Sequence, residues 1–149
     1  ALITDSELII ADEPTPGMSL NQALEALKMF REMANEGKAV ILITHDIDLA
    51  FEFADRVAVF YAGTTVETAP ASDFKKGPDA LRHPYSKALW RALPQNGFHS
   101  IEGFQPYAGN LHKGCLFAPR CPYKTSKCEE GIPPVTEVRG GEVRCYHVT

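Results

Sequence analysis

Leu8-Ile9-Ile10-Ala11-Asp12-Glu13-Pro14-Thr15 is a short apolar run that ends in two adjacent carboxylates and a proline. A bounded apolar run of this length reads as a strand buried on both faces, as in a parallel sheet. Chemistry in open α/β sheets collects at the carboxyl ends of such strands. Asp12 and Glu13 therefore stand where a metal and a water could be held. Taken alone, an Asp-Glu pair after a strand also reads as a helix-start signal, because carboxylates favour a helix N-terminus.

A second stretch shifts that balance. Ala39-Val40-Ile41-Leu42-Ile43-Thr44 is another apolar, β-branched run, and it leads into His45-Asp46. The segment between the two runs is long enough for one helix. Ser19 is its predicted N-cap. Leu20, Ala23, Leu24, Leu27, Phe30 and Ala34 are predicted on its inward face, and Gly37 as its stop. Strand, helix and strand make a βαβ unit with parallel strands, so both polar ends fall on one edge of the sheet.

These residues resemble a known family. Leu8 to Thr15 is similar to the Walker B strand of ABC-transporter ATPases, and Ile43-Thr44-His45-Asp46 resembles their switch-histidine loop. Asp55-Arg56-Val57-Ala58-Val59-Phe60-Tyr61-Ala62-Gly63 resembles the strand and turn that follow. The resemblance implies ATP and Mg²⁺ as ligands of the full-length protein. It implies that Asp12 helps hold Mg²⁺, that Glu13 orients or activates the attacking water, and that His45 senses the γ-phosphate. Mg²⁺ takes hard oxygen ligands and keeps several waters, so one strand-end carboxylate suffices. A general base must lie within one hydrogen bond of its water.

Two family motifs are absent from the chain. No G-x-x-x-x-G-K-[ST] phosphate loop occurs; Gly37-Lys38-Ala39 lacks both the first glycine and the hydroxyl residue. The Leu-Ser-Gly-Gly-Gln signature does not occur either. The chain therefore resembles the C-terminal portion of such a subunit, with Ala1 to Glu7 as the tail of an upstream segment and Thr4, Asp5 and Ser6 as a polar connection into the strand. Alone, it is expected neither to bind ATP tightly nor to hydrolyse it. Ser19 also stands where the family usually places an Asp that faces a second subunit.

Composition sets outer limits. The chain has 149 residues and a net charge of -4, which gives no basic field for nucleic acid. Mean hydropathy is near zero. No apolar run approaches the roughly 18 residues of a membrane span, and no signal peptide is visible.

Beyond Gly63 the predicted elements are short. Asp46 to Ala54 reads as a helix with Ile47, Ala50, Phe51 and Ala54 inward. Thr64 to Thr68 reads as a hairpin partner of the third strand. Ala69 to Asp73 marks a boundary, with Ser72 or Asp73 capping a helical turn, and Lys75 to Pro78 is a loop. Pro84 to Leu93 is a helix ended by Pro94. From there to Thr149 periodicity is weak, and a segment of this kind needs a staple.

The four cysteines, Cys115, Cys121, Cys128 and Cys145, all lie in that last segment, spaced C-x5-C-x6-C-x16-C. Disulfides would be reduced in a cytosolic protein. Structural zinc usually shows closer C-x2–4-C pairs. A four-thiolate iron–sulfur cluster accepts wider spacing. Gly114 to Tyr123, Cys128 and Pro133-Pro134 resemble the C-terminal extension of the oligopeptide and dipeptide transporter ATPases, and Arg82-His83-Pro84-Tyr85-Ser86-Lys87-Ala88-Leu89 resembles the segment before it. The resemblance implies a [4Fe–4S] cluster on the four cysteines, with zinc as the alternative. Arg120 and Lys113 would offset the charge of such a centre, or else are solvated surface.

The expected fold is α/β: a partial P-loop NTPase parallel sheet with helices over residues 1–70, then an irregular Cys-rich extension over 71–149. The expected function is the ATP-hydrolysing subunit of an ABC importer for peptides or related small solutes, at the cytoplasmic face of a prokaryotic membrane. Its implied partners are a second ATPase subunit and membrane permease subunits, with a solute-binding protein acting indirectly and no nucleic acid. A stand-alone metal- or Fe–S-binding module on a degenerate ATPase scaffold is the alternative. A soluble repair or translation ATPase is a third reading, which the extension argues against.

Overall fold

A computed structural model describes residues 6–107, 109 and 111–148. Of the polar connection expected at Thr4, Asp5 and Ser6, only Ser6 lies within the described residues. The fold is mixed α/β, and the chain parts into two compact units between Ala54 and Asp55. The boundary expected at residue 70 marks a change of composition, whereas this division falls ahead of the third strand.

In the first unit, β1 (Leu8–Asp12) and β2 (Ala39–Ile43) pair in parallel, from Leu8 opposite Ala39 to Asp12 opposite Ile43. The crossover is α1 (Leu20–Asn35). Ser19 caps it: its backbone N–H donates to Gln22 Oε1 at 3.0 Å, and the Gln22 N–H returns to Ser19 Oγ at 3.4 Å. Gly37, at φ +96°, ends it in the left-handed region. Then α2 (Ile47–Phe53) follows, capped by Asp46 Oδ1, which accepts the Leu49 N–H at 3.1 Å.

The core of this unit is Ala23, Leu27 and Leu49, with Leu24, Phe30, Leu42 and Phe53 packed on it. Two expectations are corrected here. Leu20, in the first turn of α1, is exposed, and Leu49 rather than Ile47 or Phe51 is the buried residue of α2. Among the described residues the strand pair is covered on one face only. The helices cover one face; on the other, Leu8, Ile10, Ile41 and Ile43 are all exposed. Among the described residues the parallel sheet has two strands.

The second unit is built on an antiparallel sheet of order β3-β4-β6-β5. Its first hairpin joins β3 (Arg56–Tyr61) to β4 (Thr64–Pro70) through Ala62-Gly63. Both turn residues have positive φ, the geometry that matches the strand twist. The second hairpin, β5 (Thr136–Val138) and β6 (Gly141–Val143), turns at Arg139-Gly140 in the same way, and β6 docks on β4 at Glu67 and Thr68. The sequence reading missed this hairpin. The only cue is an X-Gly pair between two three-residue strands, too short for a visible alternation.

Between the hairpins run α3 (Ala71–Lys76), α4 (Pro84–Ala92) and α5 (Lys127–Glu130). Neither Ser72 nor Asp73 caps α3; Pro70 precedes it without a side-chain cap, and Asp73 lies inside it. A short 3-10 turn at Pro78–Ala80 then leads toward α4. α4 is capped by His83, whose Nδ1 accepts the Tyr85 N–H at 3.0 Å. Phe117, fully buried, sits against Tyr61, Tyr85 and His83 with ring centroids 5.3, 5.4 and 5.9 Å away. No helix among the described residues is long and apolar enough to cross a membrane.

Candidate functional site

The residues expected to carry chemistry fall in two clusters, one in each unit. The first lies where β1 and β2 both end. Parallel pairing in register carries Asp12 and Ile43 to the same edge. The ladder continues one step further, where the Glu13 N–H donates to Ile43 O at 2.8 Å. That bond places Glu13 beside the loop after β2, and His45 Nε2 lies 3.3 Å from Glu13 Oε1. The contact is one of charge range rather than an aligned hydrogen bond, and Oε1 is shielded from solvent with no aligned donor among the described residues. The imidazole itself is almost wholly exposed, at 98%, against 32% for the Glu13 side chain.

Glu13 also carries φ +44°, in the left-handed region that non-glycine residues avoid. Such a conformation costs on the order of 1 kcal/mol and collects at functional sites. Asp12 is exposed at the end of β1. Thr44 and Asp46 are used locally: Thr44 Oγ1 accepts the Asp46 N–H at 3.0 Å, and Asp46 caps α2. The structure thus brings Glu13 and His45 together at the sheet edge that also holds Asp12.

The second cluster is thiol-rich. All four cysteines are free thiols, with Cys128 buried and the others half-buried. The Cys115 N–H donates to Cys128 O at 2.8 Å, which ties the two segments together. Burial pushes the Cys115, Cys121 and Cys145 thiols up, and neighbouring sulfurs push the same way. Backbone N–H groups oppose this: those of Phe117 and Ala118 at Cys115, Tyr123 at Cys121 and His147 at Cys145. The His147 N–H reaches Cys145 Sγ at 3.4 Å. Cys128 Sγ is met by side chains, Thr125 Oγ1 and His147 Nε2, each at 3.5 Å.

Among the described residues no three His, Cys, Asp or Glu side chains form a group that could hold a metal ion. The closed ligand set expected at Cys115, Cys121, Cys128 and Cys145 is therefore not assembled as such, although the four sulfurs lie within one another's electrostatic reach. The Arg120 guanidinium is held in place by neutral acceptors and keeps its charge. Its Nε and Nη2 donate to Glu102 O and Ile101 O, both at 2.8 Å, and Nη1 to the Tyr61 hydroxyl at 3.3 Å. Lys113 is exposed. Sequence reasoning missed His147; its one signal is that it follows Cys145 by two positions.

Known proteins are similar to this chain along nearly its whole length. The family model described as the oligopeptide/dipeptide transporter C-terminal region matches residues 66–128. A putative peptide import ATP-binding protein of Brucella ovis is 34% identical over 150 residues, which is 93% of this chain and 44% of that protein. The dipeptide transport ATP-binding protein DppD of Haemophilus influenzae is 35% identical over 98% of this chain and 45% of its own length. The oligopeptide transport ATP-binding protein AppD of Bacillus subtilis is 35% identical over 98% and 46%. The chain spans just under half the length of the curated relatives it matches.

Proposed function

We propose that this chain, which belongs with the peptide-import ATP-binding proteins and carries their oligopeptide/dipeptide transporter C-terminal region, is the C-terminal portion of the ATP-hydrolysing subunit of an ABC importer for peptides or related small solutes. One observation carries the reading: Glu13 Oε1 and His45 Nε2 lie 3.3 Å apart at one edge of a parallel strand pair. A shielded carboxylate oxygen lacking an aligned donor calls for a functional explanation. Placement and orientation supply most of the catalysis in phosphoryl transfer, and the carboxylate needs only to orient a water.

In this reading residues 1–70 complete an ATPase domain whose phosphate loop lies upstream, and residues 71–149 form the extension. The exposed Asp12 carboxylate would hold Mg²⁺, whose charge offsets that developing on the phosphates. Glu13 aims the attacking water from its strained backbone. His45, exposed beside it, reports on the terminal phosphate from the neighbouring strand end. A second ATPase subunit and membrane permease subunits are the working partners, with a solute-binding protein acting through the permease. The place of work is the cytoplasmic face of a prokaryotic membrane.

The four thiols would hold a [4Fe–4S] cluster, with zinc as the alternative, and the group would staple a segment poor in regular structure. Backbone N–H groups aimed at three sulfurs fit thiolate ligation. A single zinc ion with bonds of about 2.3 Å needs its sulfurs tightly gathered.

The test is ATP hydrolysis by the full-length subunit assembled with its permease. Glu13→Gln is expected to lower turnover by about 10²- to 10⁴-fold while nucleotide binding persists. Unchanged turnover overturns the reading. The competing possibility, a metal-binding module that works alone, draws on the compactness of the second unit. It predicts a natural reading frame with no phosphate loop upstream of Ala1.

A further inference from the structure

We propose that the cleft between α4 and residues 100–102 is a docking site for an acidic stretch of a partner polypeptide, with Lys87, Arg91 and Arg120 as the groups that take its carboxylates. The cleft lies within the second unit, and the proposal is independent of the ATPase and thiol-centre readings.

The cleft has a volume of about 230 Å³. One wall is a single face of α4, where Pro84, Lys87, Ala88 and Arg91 recur at helical spacing. Residues 100–102 form another wall, and Arg120 both holds that wall and charges it. Its Nε and Nη2 donate to Glu102 O and Ile101 O, both at 2.8 Å, and Nη1 donates to the Tyr61 hydroxyl at 3.3 Å. These acceptors are neutral, so the guanidinium charge stays uncancelled, and three of its five N–H donors are used. Lys87 is half-buried and Arg91 exposed, and neither makes an ion pair among the described residues. Glu102 is the one carboxylate among the lining residues, so three cations face one anion.

Size and lining name the occupant. Small-molecule sites span roughly 300–1,000 Å³. This cleft is smaller and takes one or two side chains rather than a whole metabolite. Ala88, Ile101 and Phe117 give it apolar surface beside the cations, which suits a carboxylate carried next to an apolar side chain. Tyr123, also lining it, is 59% exposed, and Phe98 and Phe104, on either side of residues 100–102 in the chain, are 75% and 95% exposed. Exposed aromatic rings together with arginine are the composition of protein interfaces. Charge complementarity then selects an acidic partner.

The experiment titrates the whole 149-residue chain against two fluorescently labelled peptides, one of alternating glutamate and leucine, the other of alternating glutamine and leucine. Binding is read by anisotropy. Inorganic phosphate is added as a competitor, and vesicles containing phosphatidylserine are tested by co-sedimentation. The variants are Lys87→Glu, Arg91→Glu and Glu102→Gln, each checked for a wild-type circular dichroism spectrum. Lys28→Glu, at an exposed position of α1 in the other unit, controls for net charge. Arg120 is left intact because it holds the wall. The glutamate peptide is expected to bind and the glutamine peptide to fail. K87E and R91E should each weaken binding about fivefold, E102Q should tighten it about twofold, and K28E should leave it unchanged. Tightening in E102Q separates a binding role from a merely structural one. A glutamate peptide that does not bind, or binds no better than the glutamine peptide, overturns the proposal. So does wild-type affinity in both K87E and R91E, or a loss in K28E equal to theirs. Phosphate that binds as tightly as the glutamate peptide makes the cleft a site for a free anion and overturns the polypeptide occupant. Uptake by the vesicles without peptide binding assigns the cations to a lipid surface and overturns it too.

Discussion

Glu67 holds Arg82 twice with one oxygen: Oε1 accepts the Arg82 backbone N–H at 2.9 Å and its guanidinium Nη1 at 3.3 Å. The other oxygen, Oε2, accepts the His83 N–H at 2.8 Å. Both side chains are fully buried. Arg82 also reaches Asp73 Oδ2 at 2.8 Å and the carbonyls of Val138 and Arg139 in the second hairpin. One carboxylate and one guanidinium thus join β4, α3, the entry to α4 and the β5–β6 turn.

Removing one member of a buried pair strands the others, which costs about 3–5 kcal/mol. Glu67→Ala leaves two backbone N–H groups and part of a guanidinium without acceptors. It is expected to lower stability by that amount in urea titration. Glu67→Gln keeps one oxygen but turns an amide N–H₂ toward a backbone donor, so about 1–3 kcal/mol should be lost. An E67A melt that matches wild type would show that the network contributes nothing.

His83 couples stability to pH. Burial holds its imidazole down to about 4, against an ordinary 6.5. Between those values the unfolded chain binds a proton that the folded chain refuses. Stability is therefore complete above pH 6.5 and falls as pH drops from 6.5 to 4, by about 3 kcal/mol in all. Protonation would also remove the Nδ1 acceptor that caps α4. Asp73 acts lower. Burial raises its carboxyl, but hydrogen bonds from Arg82 and Lys76 outweigh this and hold it below the usual range, so its share is lost only beneath pH 4. His83→Asn retains a capping oxygen without titrating. Its melting temperature should vary less than that of wild type between pH 6.5 and 4, and equal slopes would exclude His83 as the source.

How much of this was legible beforehand follows from the range of the forces involved. The βαβ unit was readable because β1, α1 and β2 are each specified by their own residues, and the edge that gathers Asp12, Glu13 and His45 follows from parallel pairing alone. The exposed faces of Leu8, Ile10, Ile41 and Ile43 were not readable, since an apolar run does not say whether one face or two will be covered. Glu67, Arg82 and Asp73 look like ordinary surface charges in sequence; their network depends on long-range contacts, among them those of Arg82 with the β5–β6 hairpin. The same holds for His147, whose meeting with Cys128 depends on that hairpin's exit.

Ser19 differs from the Asp of the resembled family, and the structure gives it a local task at the start of α1. Ser19→Ala should cost about 1 kcal/mol, and the 3.4 Å span from the Gln22 N–H puts the value toward the low end of caps. Ser19→Asp should keep the cap, because Asp is as good an acceptor there, and it also restores the charge. Thermal melts of the two variants should therefore diverge, with S19D at or above wild type. Equal losses in both would mean that the site acts through something other than capping.

Gly114 shows how closely the thiol segments approach. A Cβ on Gly114 would lie 2.2 Å from Cys128 O and 2.7 Å from Glu129 Cα. Both obstacles are backbone, so no side-chain rotation can relieve them. Gly114→Ala must push the two segments apart, which strains the bond from the Cys115 N–H to Cys128 O. The cost should reach about 1–3 kcal/mol, as for other overpacked sites. Cys128 should also lose its cover and react faster with an alkylating reagent, read by peptide mass. Gly131 is the control: a Cβ there meets only the Tyr146 hydroxyl at 4.0 Å. Gly131→Ala should leave alkylation of Cys128 at the wild-type rate. If G114A and G131A label alike, the close approach of Gly114 to Cys128 does not govern access to the thiols.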